Sequence, residues 1–139
     1  MKIGLDVHGV IDTYPKLFSK LSKEWIAKGW EVYILTGQEW KNAKKIVDDE
    51  MVKYTHHFSI IDYHKNLGTP MYTRSDKDGL WIDHKLWVRS KGDYASKVKL
   101  DIHFDDDSDY FKYFPRACTC ILVPSKGFDE FYYNILSRR

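Results

Sequence analysis

Short apolar runs alternate along this chain with segments whose apolar residues recur at helical spacing. That alternation is the pattern of a parallel sheet covered by crossover helices. Five strands are predicted, at residues 2–7, 31–35, 58–62, 100–104 and 118–123. The first two flank a helix whose apolar face carries Leu17, Leu21, Trp25 and Ile26, with Gly29 as its stop. A second helix over 39–54 turns Ala43, Ile46, Val47 and Met51 inward, and a third near 91–98 precedes the fourth strand. Pro124 ends the last strand, and a final helix is predicted over 128–136.

Residues 66–90 break the alternation. Gly68, Pro70 and the turn Ser75-Asp76-Lys77-Asp78-Gly79 flank short runs with Tyr72, Leu80, Trp81 and Ile82, which predicts a small hairpin inserted over the sheet edge. Asp83 is placed to cap a short helix carrying Leu86, Trp87 and Val88. Trp81 and Trp87 are read as packing the hairpin down, with a substrate-covering flap as the alternative.

A chain of 139 residues fits one domain, 1–139, with a core that needs neither metal nor disulfide. A net charge of +2 does not indicate a nucleic-acid surface. No apolar run reaches bilayer length and the opening strand is interrupted too soon for a signal peptide, so a cytoplasmic protein without membrane contact is expected. Cys118 and Cys120 lie two apart on a strand and share a face, as reduced core or flank residues.

Residues 2–12, Lys-Ile-Gly-Leu-Asp-Val-His-Gly-Val-Ile-Asp, carry the chemistry. An apolar strand ends on Asp6, a carboxylate able to bind a cation or attack phosphorus, and Gly9 allows a tight turn close to a ligand. The segment resembles the first motif of the haloacid dehalogenase-like (HAD) hydrolases, Asp-x-Asp-Gly after an apolar strand, with His8 in place of the second Asp. Strand two closes on Thr36-Gly37, like the second motif, which implies that both bind phosphate. The family's lysine corresponds to Lys91 in Ser90-Lys91-Gly92-Asp93, with Lys97 as the less favoured choice. Strand four leads into Asp105-Asp106-Asp107-Ser108-Asp109, which resembles the acidic fourth motif. An isolated cluster of this kind would otherwise read as a solvated turn.

The resemblance implies a small uncapped member near the nucleotidase and phosphatase branch, with a three-layer Rossmann-like fold and a five-stranded parallel sheet in the order 3-2-1-4-5. It implies a magnesium-dependent phosphomonoester hydrolase acting through an aspartyl-phosphate on a small phosphorylated substrate, with a nucleotide as one candidate. Catalysis would fall to Asp6, His8 and Lys91, and substrate binding to Thr36, Gly37 and Lys91. Mg²⁺ would lie on Asp6, the His8 backbone carbonyl, Asp105 and Asp106, with Asp109 as another candidate ligand. The alternative is a weak or inactive phosphate- or nucleotide-binding protein, because His8 replaces the usual acid and base. Asp12 is a second candidate acid, though Asp12-Thr13-Tyr14-Pro15 reads first as a helix entry with Asp12 or Thr13 as its cap. His56, His57 and His64 match no recognised zinc spacing, His64 is a candidate for the site's rim, and His103 is placed in the core.

Overall fold

The computed structural model describes residues 1–132. In chain order its regular elements are β1 (Lys2–Leu5), α1 (Pro15–Ala27), β2 (Glu31–Thr36), α2 (Trp40–Asp49), β3 (His56–Ser59), α3 (Ile60–Leu67), β4 (Tyr72–Thr73), β5 (Leu80–Trp81), α4 (His84–Val98), β6 (Ile102–Asp105), β7 (Thr119–Leu122) and α5 (Phe128–Phe131). Five strands form a parallel sheet in the order β3-β2-β1-β6-β7, while β4 and β5 pair antiparallel as a separate hairpin. Without the hairpin, this is the expected 3-2-1-4-5 order of a Rossmann-like fold.

The alternation of side chains along β2 builds both cores. Val32 and Ile34 join the cluster containing Leu17, Phe18 and Leu21 of α1 and Ala43 and Val47 of α2. Tyr33 and Leu35 join Ile60 and Ile61 of α3 and Trp87, Val88 and Ala95 of α4. A one-residue slip would exchange the two sets, so burial on both faces fixes the register.

Several boundaries differ from those predicted. Strand three ends at Ser59 instead of running to Asp62, because the Ser59 Oγ accepts the Asp62 backbone N–H at 3.0 Å and starts α3. Helix α2 ends at Asp49, with Met51 in the left-handed region at φ 58°, where the chain turns away before Tyr54. Asp12 does not cap α1. It accepts the Gly9 N–H at 2.7 Å and closes the wide turn after β1, while α1 begins at Pro15 without a side-chain cap. Of the helix predicted over 128–136, α5 covers Phe128–Phe131; residues beyond 132 lie outside the described residues.

The two short helices predicted after the hairpin are one helix of 15 residues, capped by Asp83, whose Oδ1 accepts from Lys85 N at 2.8 Å. It runs through Gly92, a residue that ordinarily weakens a helix interior by about 1 kcal/mol relative to alanine. Close packing explains its presence, since a Cβ at Gly92 would collide with the Tyr113 carbonyl and the Phe114 nitrogen. Trp81 and Trp87 pack together at 4.7 Å between ring centres, which is the packing role read from the sequence.

Gly92→Ala is therefore expected to destabilise the protein by about 1–3 kcal/mol through overpacking, despite the gain in helix propensity. Urea denaturation measures this, and a midpoint equal to or above that of the wild type would contradict the close approach.

Candidate functional site

Strands β1 and β6 lie side by side with Leu5 opposite Phe104, so their carboxyl ends bring Asp6 and Asp105 into one crevice. The Asp6 N–H donates to the Phe104 carbonyl at 3.0 Å, which ties the two strand ends together. Asp6 is 7% exposed and Asp105 fully buried. Lys91 reaches them from α4, itself only 2% exposed, and its Nζ donates to Asp6 Oδ1 at 3.1 Å and Asp105 Oδ2 at 2.8 Å.

Further contacts hold this ion triad. Asp6 Oδ1 also accepts the Val7 N–H at 2.9 Å, Asp105 Oδ1 accepts the Asp107 N–H at 3.1 Å, and His103 Nε2 lies 2.9 Å from Asp105 Oδ2. The Lys91 ammonium sits 4.5 Å from the centre of the Tyr110 ring. Asp106 forms the open side, and carboxylate oxygens of Asp6, Asp105 and Asp106 lie within 4.8 Å of one another. Gly9, at φ 85°, leaves room for Asp106, whose carboxylate a Cβ at that position would strike.

The charges are unevenly compensated. Burial alone would raise Asp105, but the Lys91 charge and hydrogen bonds from His103 and Lys91 hold its carboxyl well below the usual range. Burial likewise opposes the Lys91 charge, which Asp105 and Asp6 restore, so the ammonium stays protonated. Asp6 goes the other way. Burial pushes its carboxyl well above the usual value, Lys91 opposes that only in part, and Asp105 and Asp106 add to the rise. Asp106 is also raised, first by desolvation and then by the Asp105 charge.

The other residues singled out from the sequence divide by position. Thr36, at the carboxyl end of β2, is fully buried and its hydroxyl has no hydrogen-bond partner among the described residues. Gly37 follows it, packed so closely on the Trp87 ring that a Cβ would collide. The His8 ring turns outward to Asp12, 3.3 Å away with its side chain 58% exposed, and does not join the carboxylates. Lys97 is exposed on another face of α4. Asp109 donates its N–H to Asp107 Oδ1 at 2.9 Å and is not one of the three converging carboxylates.

The histidines do not converge. His56 stacks on Tyr33, His57 stacks on Trp40, and His64 bonds Thr69 at 2.9 Å and Ser90 at 3.0 Å. His64 is thus a buried link between α3 and α4 and not a rim residue. His103 lies in the core as predicted, but its bond to Asp105 also makes it part of the ion network. That bond and the Tyr110 contact were missed, since neither residue stands in a motif; the one available signal was the i, i+2 spacing that puts His103 and Asp105 on one face of a strand. Cys118 is buried and Cys120 half-buried, both as free thiols, and burial pushes the Cys118 thiol up to about 12.

No family model matches the chain, and no curated protein matches it. Among solved structures, it is similar to a universal stress protein in complex with cAMP, at 9% identity and a TM-score of 0.45, over 88% of this chain and 97% of that one. The likeness is one of layout. None of these comparisons supports the HAD membership expected from the motifs, and that expectation is withdrawn. The phosphomonoester hydrolase activity, the aspartyl-phosphate intermediate and the alternative of a degenerate HAD protein were implied by that resemblance alone and are withdrawn with it. No helix among the described residues is long and apolar enough to cross a membrane.

Two expectations follow from the buried polar groups. Lys91→Met leaves Asp6 and Asp105 buried without their cation, and a loss of about 3–5 kcal/mol is expected; denaturant titration of the variant measures it, and a loss under 1 kcal/mol would contradict the triad. His64 is held below its ordinary pKa by burial, so the unfolded chain protonates first as pH falls through about 6.5. That residue's contribution is present above this window and lost below it. Thermal melts from pH 7 to pH 5 are expected to fall less steeply in His64→Gln than in the wild type, and parallel profiles would count against the assignment.

Proposed function

We propose that the chain binds a phosphorylated small molecule together with a divalent cation, Mg²⁺ by ligand type, at the carboxyl ends of β1, β2 and β6. The observation that carries this reading is the convergence of Asp6, Asp105 and Asp106 around a single buried lysine. Three carboxylates exceed Lys91 by two charges, which is the charge a divalent cation brings. Asp6 supports the fit, because its carboxyl is raised by burial that Lys91 does not offset, and a cation beside it would favour the ionised form.

All of these donors are hard oxygens, the set suited to Mg²⁺, which is commonly held by one or two carboxylates and completed by water and ligand phosphate. Asp6, Asp105 and Asp106 would hold the ion, with the His8 backbone carbonyl as a further donor. When bound, the ion would supply positive charge to phosphate oxygens. The chain's own groups do the rest of the binding. Lys91 already spends its charge on Asp6 and Asp105, so without a cation on the carboxylates the crevice would repel an anion. The unpartnered Thr36 hydroxyl and the Gly37 backbone at the end of the neighbouring strand supply phosphate donors. Ligands in open α/β sheets sit outside the carboxyl ends of the strands, which is where these groups lie.

Mg²⁺ is expected to raise the melting temperature, and inorganic phosphate to raise it further only when Mg²⁺ is present. A hundredfold excess over Kd corresponds to about 2.7 kcal/mol of stabilisation. Asp106→Asn, which alters the exposed member of the trio, is expected to keep the fold and remove the Mg²⁺ response. A wild-type melting curve unmoved by Mg²⁺ with phosphate overturns the reading.

A further inference from the structure

Beside the carboxylates, under the β4–β5 hairpin, lies a cavity of about 220 Å³. Trp81, Trp87 and Tyr110 give it aromatic walls, Lys77 gives it a cation, and Asp107 and Asp109 give it acceptors. We infer that this cavity receives a polar heteroaromatic ring attached to the phosphate, so that the ligand class is a nucleoside phosphate. The inference rests on the phosphate reading above and names the organic part of that same ligand.

Contact with the ion triad comes first in the argument. The Trp87 Nε1–H donates to the Tyr110 hydroxyl at 2.8 Å, and the Tyr110 ring lies against the Lys91 ammonium, so one ring is shared by the cavity wall and the site. The Asp107 N–H donates to Asp105 Oδ1, which makes a second shared wall. A ligand anchored by phosphate beside Lys91 therefore has this cavity as its neighbour.

The chemistry of the walls then selects the class of group. The indole N–H of Trp81 is buried without an acceptor among the described residues, although buried donors are nearly always paired. A ligand acceptor satisfies it. Asp109 and Asp107, whose Oδ1 also takes the Asp109 N–H, offer carboxylate acceptors to a ligand's donors, and Lys77, 5.8 Å from the centre of the Trp81 ring, offers a donor. Arg74 is already committed to Asp76 through paired hydrogen bonds, and it lies 5.1 Å from the centre of the Trp81 ring, so it braces the wall and leaves Lys77 as the adaptable cation. A simple aryl group would fill the aromatic walls but leave these polar groups unsatisfied, whereas a nucleobase carries donors and acceptors on one flat ring. The opposed charges also disfavour a second phosphate, which Asp107 and Asp109 would repel.

Calorimetric titration in Mg²⁺ tests the inference with four nucleoside monophosphates, ribose 5-phosphate, phenyl phosphate and inorganic phosphate. At least one nucleotide is expected to bind tenfold or more tightly than ribose 5-phosphate and phenyl phosphate. Lys77→Ala with Asp109→Asn, two exposed positions, is expected to erase that preference and leave inorganic phosphate binding unchanged. Equal affinity for nucleotides and ribose 5-phosphate overturns the inference while the phosphate reading stands. Phenyl phosphate binding as tightly as the best nucleotide replaces the polar ring with an apolar one and also overturns it. Failure of every ligand, inorganic phosphate included, overturns the phosphate reading itself.

Discussion

The buried ammonium of Lys91 between Asp6 and Asp105 is the constraint on which much of this structure depends. Removing three charged groups from water costs several kcal/mol for each ion, and only close pairing with hydrogen bonds makes it tolerable. That pairing needs β1 beside β6, so that both carboxylates end in one crevice, and it needs α4 at one height along the sheet. Neighbouring side chains on α4 fix it from two directions. Ser90 faces His64 on α3 while Lys91 faces the strand ends, and Gly92 lets the backbone of residues 113–114 lie against the helix.

How far this was legible depended on whether the signal was local. The parallel sheet with crossover helices could be read from the alternation of apolar runs with helical spacing, whereas the strand order came only with the family resemblance. The ends of β3 and α2 could not be placed from apolar spacing, because a serine cap and a left-handed Met51 decide them. The sequence predicts helix α4 as two pieces, a short helix carrying Leu86, Trp87 and Val88 and another near 91–98, because the hairpin insertion is expected to run to residue 90; the structure carries it through in one run. Lys91 was preferred over Lys97 on the expectation that it starts a helix. The structure puts it mid-helix, and the preference holds for another reason: residues six apart on a helix differ by about 240°, so one of the two lysines must face away.

The family resemblance shows what short motifs carry. An apolar strand, a carboxylate at its end and a glycine with positive φ are what any parallel α/β sheet needs in order to turn tightly and present an acid at its ligand-facing edge. Those demands explain residues 2–12 without fixing a reaction, and fold-level likeness does not supply one. The position that departed from the motif is also the one whose ring leaves the crevice: His8 turns to Asp12 and solvent. The outward ring therefore weighs against the acid-base role on geometric grounds, and the convergent carboxylates are left as a feature to be explained by binding.

Binding also accounts for the asymmetry among the three carboxylates. Asp105 is satisfied within the chain, by Lys91, His103 and the Asp107 N–H, and a residue so fully paired contributes chiefly to the frame. Asp6 shares the same lysine but is left with an unfavourable burial, and Asp106 stands open to solvent beside it. A purely structural ion network would have little use for that remainder, since replacing incompletely paired buried charges with apolar groups is often neutral or stabilising. On the proposed reading, a cation arriving from solvent would meet Asp106 first and then Asp6, whose deficit it would relieve. Tyr110 carries the consequence outward, because the ring that touches Lys91 also accepts from Trp87 beneath the hairpin. The triad and the neighbouring cavity thus share the Tyr110 ring as a common wall.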